Sequence, residues 1–146
     1  MQIRQAQQND KAALVAFNLA MAKETEGRDL DVTLLNQGVS RLIESPEKGF
    51  YLVADIEGEI AGSLMVTFEW SDWQAKDYYW IQSVYISPQY RRQGIYKKLY
   101  QAVKDRAEAQ GGAVSFRLYV EQHNQVAQNT YSALGMQQSH YLLFEE

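Results

Sequence analysis

In VYISPQYRRQGIYK, residues 84–97, a strand pattern passes directly into a helix pattern. Apolar residues alternate up to Ile86, and Pro88 ends the strand because proline has no N–H to donate to a sheet. Gly94 then opens a helix, whose first N–H groups have no partner within the helix. A glycine here lets an anion approach those groups, and the helix dipole adds about half a positive charge. The stretch therefore predicts an anion site between a strand and a helix.

Positive charge is concentrated around this glycine. Residues 91–106 carry six cations and one acid, whereas the rest of the chain carries eight cations and 17 acids. The net charge of −4 excludes a protein that wraps nucleic acid through many phosphate contacts. A compact basic patch instead favours a small phosphorylated ligand, with a capped helix and solvated cations as the alternative. The motif GxxxxGK[ST] is missing, so the stretch is not a Walker loop.

The 146 residues have the composition of one folded domain, with 46% hydrophobic and 22% charged residues. The chain has no cysteine, which excludes a disulfide, a zinc–thiolate site and an acyl-enzyme through sulfur. Its two histidines, His123 and His140, lack ligand spacing, so we expect no metal. The polar N-terminus and the lack of a long apolar run predict a cytoplasmic protein that does not enter a membrane.

Hydrophobic periodicity predicts the remaining elements. Helices are expected at about 10–27, 31–43, 94–110 and 124–134, with Asn9 or Asp10 capping the first and Asp31 the second. The expected strands cover residues 2–6, 50–56, 60–70, 78–86, 114–120 and 136–144. We therefore expect a single α/β domain over residues 1–146. Its mixed, mostly antiparallel sheet has six to seven strands and carries about four helices.

Two motifs resemble the signatures of the GCN5-related N-acetyltransferases, the GNAT family, which transfer an acetyl group from acetyl-CoA to an amine. The turn V-x-P-x-[YF]-R is similar to residues 86–91, and the signature [RQ]xxGx[GA] to residues 91–96. Tyr96 departs from this pattern, since the family has glycine or alanine there. The second signature, N-x-x-A-x-x-x-Y-x-x-x-G-[FM], is met by Asn124, Ala127, Tyr131, Gly135 and Met136. The order of elements agrees with the family over nearly the whole chain.

The resemblance implies where acetyl-CoA binds. In the family, the strand that ends here at Ile86 splays away from the strand at 113–120, and the pantetheine lies in the resulting slot. Backbone groups near Val84, Tyr85 and Ile86 would bind the pantetheine amides and polarise the thioester carbonyl. The pyrophosphate would lie on the helix N-terminus. The other implied cofactor-binding residues are Arg91, Arg92, Gln93, Gly94, Ile95, Tyr96, Lys97, Asn124 and Tyr131.

Tyr131 is the leading candidate for the general acid. A phenol with an ordinary pKa near 10 stays protonated at neutral pH and can donate to the departing CoA thiolate. A tyrosine that only packs a helix on the sheet is the alternative. The family's glutamate or histidine base is replaced here by Trp80 and Gln82. Glu69 or Glu24, acting through a water, is therefore the candidate proton acceptor, with a solvated surface carboxylate as the alternative.

The acceptor site is expected where the first two helices meet the loop between the strands at 60–70 and 78–86. Carboxylates and aromatic faces suit a cationic amine through charge pairing and cation–π contact, with acidic solvated loops as the alternative. The candidate acceptor-binding residues are Glu24, Glu69, Trp70 and Trp80. The segment EWSDW, residues 69–73, is similar to an uncharacterised bacterial branch of the family.

These patterns predict an enzyme that acetylates a primary amine of a small cationic metabolite or peptide. The amine attacks acetyl-CoA directly in a ternary complex, and neither a metal nor nucleic acid takes part. The alternatives are a non-catalytic acyl-CoA-binding module and a structural domain that binds a protein partner. The apolar last strand, with Tyr141–Phe144, favours a homodimer.

Overall fold

A mixed five-stranded sheet with four helices forms the framework of the protein, and the computed structural model describes all 146 residues. The strands are β1 (Gln2–Gln5), β2 (Gly49–Ile56), β3 (Glu59–Ser71), β4 (Lys76–Ile86) and β5 (Phe116–Leu118). The helices are α1 (Lys11–Glu26), α2 (Val32–Glu44), α3 (Ile95–Ala109) and α4 (Gln125–Ala133). Strands β1 to β4 are antiparallel neighbours in chain order, and β5 is parallel to β4. None of the four helices combines the length and the hydropathy that a membrane-spanning helix requires.

The sheet is buried on both faces, which explains the continuous apolar run in β2. Alternate residues of a strand point to opposite faces. Leu52 therefore belongs to the cluster that includes Leu99 of α3, while Val53 belongs to the cluster that includes Leu14 of α1 and Val39 of α2. Helix α3 thus covers one face, and α1 and α2 cover the other.

Of the two predicted helix caps, the one at α2 is confirmed and the one at α1 is not. The Asp31 carboxylate accepts a hydrogen bond from the Leu34 N–H at 3.1 Å, which confirms the cap of α2. Asp10 precedes α1, but its carboxylate does not cap that helix. It accepts two hydrogen bonds from the Arg4 guanidinium, at 2.8 and 2.9 Å, and one from the Gln7 N–H. The Arg4 contact lowers the pKa of this buried carboxyl, and it ties β1 to the start of α1.

The sequence prediction of six to seven strands is wrong, because residues 136–144 do not form a strand. Strand β5 is also shorter than the predicted 114–120 and offers only three residues at the sheet edge. So short an edge gives a further strand few ladder positions, and residues 137–140 are polar. The side chains of Tyr141–Phe144 are between 68% and 88% exposed. The homodimer expected through this segment stays a prediction.

Strands β4 and β5 pair over a short length and then part. Their ladder runs from Tyr79 opposite Phe116 to Ile81 opposite Leu118, and β4 continues for five more residues to Ile86. On its other side β4 stays paired with β3 as far as Ile86. The end of β4 therefore has one open edge, and this edge borders a gap in the sheet.

Candidate active site

A cavity of about 330 Å³ opens at this gap, and we call it the β4–α4 slot. It brings together many of the residues that the sequence pattern singled out. It is lined by Met21, Glu24, Thr25, Val84, Tyr85, Ile86, Arg91, Tyr96, Ala127, Thr130 and Tyr131. A second hollow of about 470 Å³, between Leu19 and Val32, contains none of the predicted site residues.

A bulge shapes the β4 wall of the slot. The β3–β4 register shifts between Ser63 and Met65, where β4 has one extra residue, and Ser83 has a φ of 52°. Such a bulge turns the following residues and bends the strand. As a result, Tyr85 contacts Phe17 of α1 with ring centroids 5.1 Å apart, while the backbone after Ile81 has no β5 partner. This backbone can bind an extended amide-containing ligand in the manner of an added strand.

The N-terminus of α3 is open to an anion. Gly94 is the N-cap with a φ of 73°, and a side-chain carbon built at this position would meet no atom within 4 Å. The first hydrogen bond of the helix runs from the Lys98 N–H to the Gly94 carbonyl, so the N–H groups of residues 95–97 have no partner in the helix. The exposed side chains of Arg92 and Lys97 add positive charge beside these donors.

Glu24 and Arg91 form an ion pair at the α1 edge of the slot. The Arg91 Nη2 lies 3.0 Å from the Glu24 Oε2, and the Arg91 Nε donates to the Ile86 carbonyl at 2.9 Å. The Tyr85 hydroxyl donates to the Glu24 Oε1 at 2.9 Å. The hydrogen bond from the Tyr85 hydroxyl and then the hydrogen bond and charge of Arg91 lower the pKa of Glu24. Glu24 is therefore an ionised carboxylate with both oxygens engaged, which is unfavourable for a proton acceptor.

Tyr131 lines the slot from α4, next to Tyr96 of α3. Their rings meet edge to face with centroids 5.7 Å apart, and Tyr96 stacks on Tyr100 at 6.1 Å. Burial raises the pKa of Tyr131, so its phenol stays protonated and can donate a hydrogen bond at neutral pH. The Tyr96 hydroxyl is buried without a hydrogen-bond partner.

Glu69 and Trp80 lie together, but outside the slot. The Trp80 Nε1 donates to the Glu69 Oε1 at 2.8 Å, and the Arg117 Nη1 lies 3.6 Å from the same oxygen. Trp80 also stacks on Tyr119 with centroids 4.5 Å apart. These side chains occupy the sheet face that α1 and α2 cover elsewhere. Trp70 follows Glu69 in β3 and so points to the opposite face, where it is 64% exposed.

The remaining predicted residues have local roles. The Asn124 side-chain oxygen caps α4 by accepting from the Ala127 N–H at 3.1 Å. Gln93 donates to the Gln89 carbonyl at 3.4 Å. His140 packs against the ring of Tyr141, and neither histidine lines the slot. The structure holds no cluster of three or more histidine and acidic side chains that could hold a metal ion.

The sequence patterns do not identify Arg117 as a neighbour of Glu69 and Trp80. Arg117 and Tyr119 alternate with apolar Phe116 and Leu118, a pattern that placed them on one face of a strand without naming their neighbours. The parallel pairing of Arg117 with Trp80 makes them neighbours. The alternation indicates which residues share one face of the strand. It does not show that Arg117 lies opposite Trp80, because the register between two strands depends on residues far apart in the sequence.

Comparison with known proteins agrees with this geometry. The sequence profile of the "Acetyltransferase (GNAT) family" matches residues 15–136. The chain belongs to the GNAT family. This confirms the resemblance drawn from the two motifs. Members of this family use acetyl-CoA as acyl donor.

Several relatives of this GNAT protein carry the name acetyltransferase. The mouse thialysine N-epsilon-acetyltransferase is 39% identical over 94 residues, which cover 59% of this chain and 54% of that protein. This chain thus spans about half the length of the mouse relative. The uncharacterized N-acetyltransferase YhfO of Bacillus subtilis (strain 168) is 28% identical over 98% of this chain and 97% of its own. The crystal structure of a possible acetyltransferase from Clostridium difficile 630 superposes with a TM-score of 0.94 and 39% identity, covering 99% and 95% of the two chains.

Proposed function

We propose that this chain, as one domain over residues 1–146, transfers the acetyl group of acetyl-CoA to a primary amine of a small cationic metabolite or peptide. The observation that carries the proposal is the β4–α4 slot, where the open edge of β4 lies next to Arg91 and Tyr131. The mouse relative, by its printed name, acetylates an amine nitrogen, which supports an amine acceptor.

The slot and the N-terminus of α3 fit the two ends of acetyl-CoA. The pyrophosphate takes the free N–H groups of residues 95–97, where Gly94 leaves open space, and Arg91, Arg92 and Lys97 add charge. The pantetheine follows the unpaired backbone of Val84–Ile86 as a pseudo-strand. Its amides thereby form hydrogen bonds with the β4 backbone beyond Ile81, where β5 makes none.

The chemistry is an acyl transfer in one ternary complex. The neutral amine attacks the thioester carbonyl, a C–N bond forms and the C–S bond breaks, and the CoA thiolate takes a proton from the Tyr131 hydroxyl. The nitrogen of the new amide loses its extra proton to solvent, and solvent returns a proton to the Tyr131 phenolate. Burial raises the pKa of Tyr131, which keeps the donor loaded before each turnover. Backbone N–H groups near Val84 polarise the carbonyl, and such a donor contributes roughly 3–4 kcal/mol to the transition state.

The two candidate carboxylates have different roles in this proposal. Both oxygens of Glu24 are engaged by Tyr85 and Arg91, so Glu24 positions Arg91 at the edge of the slot. Glu69 is held through its Oε1 and leaves its Oε2 for an ammonium group, so we assign it to acceptor binding. The proton-accepting role predicted for Glu69 stays a prediction.

Release of CoA thiol in a panel of amines tests the function. The chain has no cysteine, so a thiol-reactive dye reports CoA alone. We expect acetyl-CoA to release thiol with small cationic amines, and the rate to rise with pH as the amine loses its proton. Binding of acetyl-CoA without thiol release in any amine would favour the non-catalytic module. A preference for anionic acceptors would contradict the proposed acceptor class.

A further inference from the structure

The Tyr96 hydroxyl has no hydrogen-bond partner, although water does not reach it. A buried hydroxyl in this state lowers the stability of the folded protein, and a phenylalanine would fill the same space without that cost. The other buried atom without a partner, the Arg106 Nε, belongs to a guanidinium that donates to Gln5 through its Nη1 at 2.7 Å. Tyr96 has no second polar group of this kind. The stability of the fold therefore does not account for its hydroxyl.

A neighbouring side chain has to supply the partner of this hydroxyl. Because the hydroxyl is shielded from water, a ligand in the slot does not reach it in this structure. The ring of Tyr96 contacts two other phenols, Tyr131 edge to face at 5.7 Å and Tyr100 in a parallel stack at 6.1 Å. Of these two, only Tyr131 lines the slot together with Tyr96. Tyr131 is therefore the neighbour whose state a ligand in the slot can change.

The Tyr96 hydroxyl responds to the charge of Tyr131. Burial raises the pKa of the Tyr96 phenol, and an ionised Tyr131 raises it further. When Tyr131 gives its proton to the CoA sulfur, its oxygen becomes an anion in a partly buried site. Tyr96 still holds its proton at that moment. A hydrogen bond from such a neutral donor to an anionic oxygen is about twice as strong as one between neutral groups.

We propose that Tyr96 is a positioning residue for this proton transfer. Its hydroxyl donates a hydrogen bond to the Tyr131 oxygen while that oxygen passes its own proton to the CoA sulfur and the C–S bond breaks. Tyr96 keeps its proton throughout. The hydrogen bond forms as charge develops on Tyr131, which accounts for a donor that has no partner before the reaction. This inference rests on the role proposed for Tyr131 and adds a second hydroxyl to the same site.

The variants Tyr96→Phe and Tyr131→Phe, alone and combined, test the pair, with Tyr100→Phe as the matched control. For each variant the experiment measures kcat, the Kd for acetyl-CoA and the melting temperature. It also measures the thiol pKa of bound CoA, from the NMR shift of an isotope-labelled carbon next to the sulfur. This last value needs no turnover. Glu24 and Arg91, the charged side chains that line the slot, are the same in every variant.

We expect Tyr96→Phe to lower kcat by about 3 to 30-fold in the intact chain and to have no further effect in Tyr131→Phe, because Tyr96 acts through Tyr131. The thiol pKa of bound CoA should rise by about half a unit or more, since the hydrogen-bond chain from Tyr96 through Tyr131 to the thiolate is broken. The melting temperature should stay the same or rise, because a buried hydroxyl without a partner is removed. Tyr100→Phe should match the intact chain.

A folded Tyr96→Phe variant with the kcat and thiol pKa of the intact chain, while Tyr131→Phe lowers kcat, would overturn the inference alone. Equal losses of kcat from Tyr96→Phe with and without the Tyr131 hydroxyl would also overturn it. If no amine is acetylated although CoA binds, the proposed function fails, and the thiol pKa still decides whether the two hydroxyls act together.

Discussion

Tyr131 and Tyr96 meet at one side of the slot, but their hydroxyls have different surroundings. Tyr96 occupies a position where the family motif has glycine or alanine, and it buries its hydroxyl without a partner. Leaving a buried polar group unpaired costs roughly 1–3 kcal/mol, so this tyrosine is not explained by stability alone. Its ring fills the space beside Tyr131 and supports that ring edge to face.

Removal of the Tyr131 hydroxyl should affect turnover more than binding. We expect Tyr131→Phe to lower kcat by about 10 to 10⁴-fold, because the CoA thiolate then leaves without a proton donor. The Kd for acetyl-CoA should stay nearly the same, since the ring still packs on Tyr96. Tyr100→Phe is the control, because Tyr100 stacks on Tyr96 without lining the slot. An unchanged kcat in Tyr131→Phe, with chemistry shown to limit the rate, would remove Tyr131 from the mechanism.

Among the helices and strands, α3 carries the residue whose role in the proposed cofactor binding is simplest to test, Gly94 at its N-terminus. Gly94 has a left-handed conformation that asparagine and aspartate also tolerate, and there is open space around it. The two substitutions Gly94→Asp and Gly94→Asn therefore differ in charge rather than in fit. Comparing them isolates the electrostatic part of cofactor binding.

We expect Gly94→Asp to weaken acetyl-CoA binding by about 100-fold or more, because two like charges about 4 Å apart near a protein surface repel strongly. Gly94→Asn should weaken it far less. Calorimetric titration measures both constants, and higher salt should reduce the difference between the variants. Equal affinities for the two variants would place the pyrophosphate elsewhere.

Local sequence signals predict the helices and strands of this site. They do not predict which residues from different helices and strands lie together. The helix start at Gly94, the strand that ends at Ile86 and the helix that begins after Asn124 depend on residues close in sequence, and all three are found in the structure. The ion pair of Glu24 with Arg91 joins residues 67 positions apart, and no periodicity reveals such a contact. The length of β5 also depends on its ladder with β4, and the strand count was wrong because residues 136–144 form no further strand beside that short edge.

At the scale of the whole molecule, the two faces of the sheet carry different candidate groups. Helix α3 covers one face and has free N–H groups at its N-terminus, while Glu69 and Trp80 lie on the face that α1 and α2 cover elsewhere. In the proposed function, the two substrates approach the end of β4 from these different sides and are bound together. The chain has no cysteine to carry an acetyl group between them. The proposed function therefore requires direct transfer in a ternary complex.

Initial-rate kinetics with both substrates varied tests this claim most directly. Double-reciprocal plots at several amine concentrations should give intersecting lines, because the amine and acetyl-CoA are bound together when the acetyl group moves. Mass spectrometry of the intact protein after incubation with acetyl-CoA alone should show no added acetyl group. Parallel lines, together with an acetylated protein that passes its acetyl group to a later amine, would contradict direct attack in a ternary complex.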